Sequence, residues 1–227
     1  MVKIKVNLAN SKNYGGERDL RNIKYIVVHY TGNDGDSDES NANYFKTHVV
    51  QASAHYFVDG NSITQSVLDD RLAYSVGGKK WTDCAKTGGG KLYGVVTNAN
   101  SISVELCDEL KNGKADFTEA TIRNAIDLIR LLMKKYNIDL NHVVRHFDVN
   151  GKHCPVPFMN AAAWENFKTR LGGGEVVEKK TFFIDNTPVV MDSILTDGVN
   201  FVKLRDILNA LGYTVKVTGK RIDIAKK

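Results

Sequence analysis

Short apolar runs and one long helical periodicity organise the first three quarters of the chain. Residues 23–30 are rich in β-branched and aromatic side chains around the apolar run Tyr25-Ile26-Val27-Val28, the pattern of a central strand buried on both faces. Thr31-Gly32-Asn33 breaks the run just after His29. Val2, Ile4 and Val6 alternate with Lys3 and Lys5 and predict a short edge strand. Residues 53–58 and 63–68 flank Asp59-Gly60 and predict a hairpin, and residues 101–107 predict a further strand. Ser40 is the expected N-cap of a short helix over 43–48. The clearest helix covers 118–136, where Ile122, Ala125, Ile126, Ile129, Leu132 and Met133 recur on one face. Asp116 is expected to cap it, with Glu119 three residues on. A short strand over 143–146 and a last helix over 160–171 complete this part. Residues 73–94 hold six glycines and little periodicity, and a loop of that length in a compact domain is a functional candidate. Alternating strands and helices with one hairpin predict an α/β domain: a mixed central β-sheet flanked by helices.

Gly172-Gly173-Gly174 starts a linker, expected over 172–178, and the pattern then changes. Apolar strands around Asp185-Asn186-Thr187-Pro188, an amphipathic helix from Val202 to Gly212, and strands 214–217 and 221–224 about Thr218-Gly219-Lys220 predict a β-β-α-β-β module over 179–227. So small a unit has a marginal core of its own.

Composition narrows the class. At 227 residues, 42% hydrophobic and 25% charged, the chain reads as globular. No run of 18 apolar residues predicts a membrane-spanning helix, and the N-terminal stretch lacks the apolar core of a signal peptide. Synthesis in the cytoplasm is expected, with action elsewhere only after release. The net charge of +5 fits solubility or attraction to an anionic polymer, but no cluster of basic and aromatic residues marks a nucleic-acid binder. Three cysteines without a secretion signal argue against a disulfide framework.

The chemistry concentrates in Arg145-His146-Phe147-Asp148-Val149-Asn150-Gly151-Lys152-His153-Cys154-Pro155 and in His29. Imidazole nitrogen and thiolate sulfur are ligands that Zn²⁺ prefers, and a catalytic zinc keeps three protein ligands and one open position. His29, His146 and Cys154 are therefore the candidate metal ligands. Zinc would lower the pKa of a bound water to about 7, and a carboxylate must then take the proton. Glu105 is the candidate because it interrupts the apolar strand 101–107, although simple alternation would place it on a solvent face. Lys152 is the candidate cation for an oxyanion, against the reading of an exposed loop lysine. Two other uses of the same residues stay open: Cys154 as a nucleophile with His146 or His153 as its base, or a structural zinc with His153 or His55 as fourth ligand.

These pieces resemble the type-2 N-acetylmuramoyl-L-alanine amidases, which include bacteriophage endolysins and are related to peptidoglycan recognition proteins. The resemblance rests on residues 26–31, 53–59, 103–107, 145–148 and 151–155, and covers roughly residues 20 to 170. It implies zinc on His29, His146 and Cys154, a general base at Glu105, Lys152 as a polariser, and cleavage of the amide between N-acetylmuramic acid and L-alanine. Residues 1–171 would be the catalytic domain, with bacterial peptidoglycan as partner. His55, Tyr30 and Trp81 are the expected substrate contacts. Many members carry a histidine where this chain has Ser75, and some carry a tyrosine where it has Ala54, which points to the glutamate-dependent subgroup. A non-catalytic peptidoglycan binder and a cytoplasmic wall-recycling amidase are the alternatives to an endolysin. The tail resembles the repeat unit of copper amine oxidase N-terminal-like domains but has no histidine cluster, so copper is not expected. Wall binding or homodimerisation is its expected role, with no membrane or nucleic-acid partner.

Overall fold

A computed structural model describes residues 3–174, 177–196, 199–218 and 221–226. Val2, residues 175–176 of the expected linker and the Gly219-Lys220 turn lie outside them. The chain divides into two compact units, Met1–Gly172 and Gly173–Lys227.

The first unit is built on six strands: β1 (Ile4–Val6), β2 (Tyr25–Tyr30), β3 (Tyr56–Val58), β4 (Ile63–Gln65), β5 (Ser101–Leu106) and β6 (Val143–Arg145). Their order across the sheet is β1-β4-β3-β5-β2-β6. Only β3 and β4 pair antiparallel, as the predicted hairpin; every other pair is parallel. The sheet is thus mixed, and its helices are α1 (Asp38–Thr47), α2 (Glu119–Tyr136), α3 (His146–Asn150) and α4 (Ala161–Leu171), with one further helical turn at Cys84–Thr87.

Strand alternation splits the sheet into two unlike faces. Ile26, Val28, Tyr56, Val58, Ile102, Val104 and Leu106 form one core with Ala125, Ile129 and Leu132 of α2 and Phe167 and Leu171 of α4. Each Val, Leu, Ile or Phe side chain among them contributes about 1.5–3 kcal/mol on burial. Val27 faces the other way, into a smaller cluster with Val76, Val96, Val144 and Val149. Phe57 packs there with Ala42 and Ala54. His29 and Glu105 share this second face.

Helix ends differ from the sequence reading in their caps. Ser37, not Ser40, caps α1, because Ser40 sits at the third helical position and returns a bond to the Ser37 backbone. Thr118, not Asp116, caps α2 by accepting from the Thr121 N–H at 3.0 Å. Asp116 belongs to a two-strand ribbon, 109–111 with 114–116, and accepts from the neighbouring Phe117 N–H.

In the second unit Val177–Ile184, Thr187–Thr196 and Val199–Val202 form an antiparallel sheet. Asp185 and Asn186 both have positive φ, so two residues close the turn and Thr187 and Pro188 join the ladder. The helix Leu204–Ala210 and the hairpin Tyr213–Thr218 with Arg221–Lys226 follow. The strand Val199–Val202 is an addition to the predicted order. No helix of the described residues is long and apolar enough to cross a membrane.

Candidate metal centre

His29 is the fifth residue of β2, and the parallel register sets it directly opposite Glu105 of β5. β6 pairs on the other edge of β2, with Arg145 opposite Val28, so the next residue, His146, emerges beside His29 as α3 begins. The two imidazoles meet edge to face, 4.7 Å between centroids. Gly151 ends α3 with φ of 91°, a left-handed conformation that glycine adopts without strain. The chain then turns back, and the Phe147 N–H donates to the Cys154 carbonyl at 2.9 Å. Cys154 Sγ arrives 3.8 Å from His29 Nδ1.

One ligand atom from each of His29, His146 and Cys154 lies within 4.8 Å of the others, and all three residues are buried. Tetrahedral ligands at about 2.0–2.3 Å from zinc would stand roughly 3.3–3.7 Å apart. The polar atoms fit the same reading. His29 Nε2, both ring nitrogens of His146 and Glu105 Oε2 are buried without a hydrogen-bond partner among the described residues. Buried polar atoms in native proteins nearly always have partners, so such a concentration is consistent with a candidate metal site. Burial drives the His29 pKa well below the usual histidine range and His146 down to about 4, with the charges of neighbouring groups adding to the fall. Both rings are therefore neutral lone-pair donors. Burial also pushes the Cys154 thiol up to about 12, where it is a poor nucleophile without a cation beside it.

Glu105 Oε1 lies 3.8 Å from His29 Nδ1, with 20% of the side chain exposed. It faces the cavity rather than open solvent. Burial raises its pKa to about 8; Lys152 works against the rise, and Asp36 and Asp108 add to it. Lys152 is on the surface at the cavity mouth, and its ammonium has no ion-pair partner among the described residues. The cavity measures about 660 Å³ and is lined by all five residues together with Tyr30, Asp36, Tyr44 and Phe57.

Among the predicted substrate contacts, Tyr30 lines this cavity and Trp81 lines a second, adjoining one of about 580 Å³. His55 lines neither. It is 1% exposed, its Nδ1 accepts from the Ser103 N–H at 3.0 Å, and its Nε2 stands 3.1 Å from the Arg71 carbonyl. Burial, with Arg18 beside it, pushes its pKa down to about 3. His55 is thus enclosed by Ser103, Arg71 and Arg18, away from both cavities. His153 points to Asp83, 3.4 Å away, and stacks on Trp81. Neither histidine supplies a fourth ligand, so the cluster keeps three.

Sequence reading missed Tyr74 and Gln51, which line the second cavity, and the place of Ser75, where the two cavities meet. Their loops carry no periodic signal. The glycine-rich segment itself is bolted to α3: Trp81, Gly90 and Leu92 donate backbone bonds to Asn150, Phe147 and Asp148 at 2.8–2.9 Å.

Residues 19–157 match the model of the N-acetylmuramoyl-L-alanine amidase family. The chain is 28% identical to the N-acetylmuramoyl-L-alanine amidase CwlL of Bacillus licheniformis over 96% of its own length and 62% of that protein's. It is 33% identical to the amidase BlyA of Bacillus subtilis, over 67% of this chain and 42% of BlyA. It thus spans about three fifths or less of these relatives. The solved structure of PlyL superposes with a TM-score of 0.58 at 29% identity, covering 75% of this chain and 96% of PlyL.

Proposed function

Because the chain belongs to the N-acetylmuramoyl-L-alanine amidase family, we propose that it hydrolyses the amide between N-acetylmuramic acid and L-alanine in peptidoglycan, with zinc as its metal and as a phage or prophage endolysin. The observation that carries this reading is the convergence of His29, His146 and Cys154 beside Glu105 in one cavity. Zn²⁺ held by those three residues supplies Lewis acidity toward water and the scissile carbonyl near neutral pH.

The residues of the chain do the rest. Glu105 takes the proton of the attacking water and passes it to the departing amine of L-alanine. Its low-polarity setting, which favours the protonated form, suits that second transfer. Lys152 holds a positive charge at the mouth of the cavity, where negative charge develops on the carbonyl oxygen. Tyr30 and Phe57 give the wall an apolar lining that limits water around the carboxyl. Two rivals lose support on this geometry. A cysteine nucleophile would need a thiolate in a setting that disfavours it, and a structural zinc would need a fourth ligand that His55 and His153 do not give.

Metal analysis of the purified protein, paired with mass spectrometry of digested sacculi, tests the reading. The expected result is about one zinc per chain, and products with a free lactyl carboxyl and a free L-alanine amine. Cleavage at a glycosidic or interpeptide bond instead would overturn it.

A further inference from the structure

The second cavity adjoins the first and shares Tyr74, Ser75, His146 and Lys152 with it. A substrate whose reacting bond lies over the metal cluster can therefore extend into both. The two arms differ in chemistry. The larger is lined by the carboxylates Asp36 and Glu105 and by apolar Phe45 and Phe57. The second has no carboxylate; it is the more open, and its walls include Gln51, Lys79 and the indole of Trp81.

Trp81 is 45% exposed, yet it is held on several sides. His153 stacks on it at 5.8 Å between centroids and 24° between planes. Asp83 braces that imidazole at 3.4 Å. The Trp81 N–H donates to the Asn150 carbonyl at 2.8 Å. A methyl group on Gly151 would come within 3.2 Å of Trp81 Cβ, so the loop and the ligand-bearing turn are in close contact. A large aromatic plate fixed at a wet surface is an anchor for a ligand with one apolar and one polar side.

We propose that Trp81 and the open cavity beside it form the glycan subsite, binding the N-acetylated sugar ring that neighbours the muramic residue under attack. The inference rests on the amidase reading and adds the direction in which the polymer lies. A pyranose ring offers a C–H face to the indole and hydroxyl and acetamido groups to Gln51 and the backbone. The glycan strand continues on both sides of any one stem, so it needs a groove open at its ends. The stem peptide, short and joined at the reacting amide, is left the larger and more enclosed arm.

The test uses the full-length zinc-loaded protein. The chain has two tryptophans, and Trp164 is buried against Phe158 and Phe167, so a ligand-dependent change in emission reports Trp81. Titration of the wild type with a peptide-free tetramer of β-1,4-linked N-acetylglucosamine is expected to give a saturable emission change. Kinetics then compare one stem peptide carried on a single muramic residue or on a chain of sugars. Trp81→Ala is expected to raise KM for the chain about tenfold more than for the single-sugar substrate, the scale of one aromatic stacking contact, with Trp81→Phe restoring much of the difference. A flat titration, or an equal loss on both substrates, overturns the subsite. Were the wild type to cleave neither substrate, the amidase reading would fall while the titration still decided the sugar contact.

Discussion

Glu105 owes its chemistry to where one strand position falls. Register opposite His29 puts the carboxyl beside the ligand cluster, and burial holds its proton more tightly than in water. Glu105→Gln keeps the shape and removes the proposed base. It is expected to retain zinc and lower kcat by about 10²–10⁴-fold, read by metal content and turnover on the same preparation; near-normal turnover would remove the assignment. The buried histidines have a second consequence. His29, His55 and His146 all have folded pKa values below their unfolded ones, so between pH 6.5 and 5 the unfolded chain binds protons that the fold cannot. Glu105 has the opposite sign, since its folded form is already protonated in that window. Three histidines against one carboxyl leave on the order of two protons, so the metal-free protein should lose stability as pH falls from 6.5 to 5. Urea midpoints across that range check the slope. At this scale the three residues that the structure brings together were legible in the sequence because histidine and cysteine fell beside strand ends within matching motifs. The enclosure of His55 by Ser103 and Arg18 was not legible, because its place in a matching motif carries no sign of either neighbour.

The elements that shape the site are the least regular ones. α3 has five residues, and the turn after it depends on Gly151, where a Cβ would come within 2.2 Å of Cys84 Sγ. Gly151→Ala combines that clash with a left-handed backbone, and a cost of about 2–3 kcal/mol is expected, seen as a lower melting temperature together with weaker metal retention. The strands and α2 were legible because their periodicities of 2 and 3.6 reflect burial directly. The caps were not, since Ser37, Ser40, Asp116 and Thr118 are all good cap residues and only tertiary packing chooses among them. The glycine-rich segment gave away its irregularity but not its anchoring, which runs through backbone bonds to α3 that no side-chain pattern encodes.

For the molecule as a whole, the division at Gly172–Gly173 separates a unit with a large apolar core from one in which, among the described residues, Met191 is the only buried hydrophobic side chain and Phe183, Val190 and Phe201 are exposed. Removing residues 173–227 is expected to leave cleavage of soluble muropeptides within about twofold, since every residue of the candidate centre lies before the cut. Lysis of intact walls should weaken, because a tether raises local concentration at the polymer; unchanged lysis would rule out a wall-directed role for the tail.

His29 and Cys154 are separated by 125 positions in the chain. An ion gripping both would also be a cross-link that fastens an early strand to the later part of the first unit. Closing so long a span removes freedom from the unfolded chain much as a disulfide does, yet reversibly. At free zinc a thousandfold above the dissociation constant the gain is about 4 kcal/mol, or roughly 10 °C in melting temperature for a unit of this size. Chelation followed by calorimetry should show that drop, and protease sensitivity should rise with it. Zinc supply would then govern how long the enzyme survives as well as how fast it works.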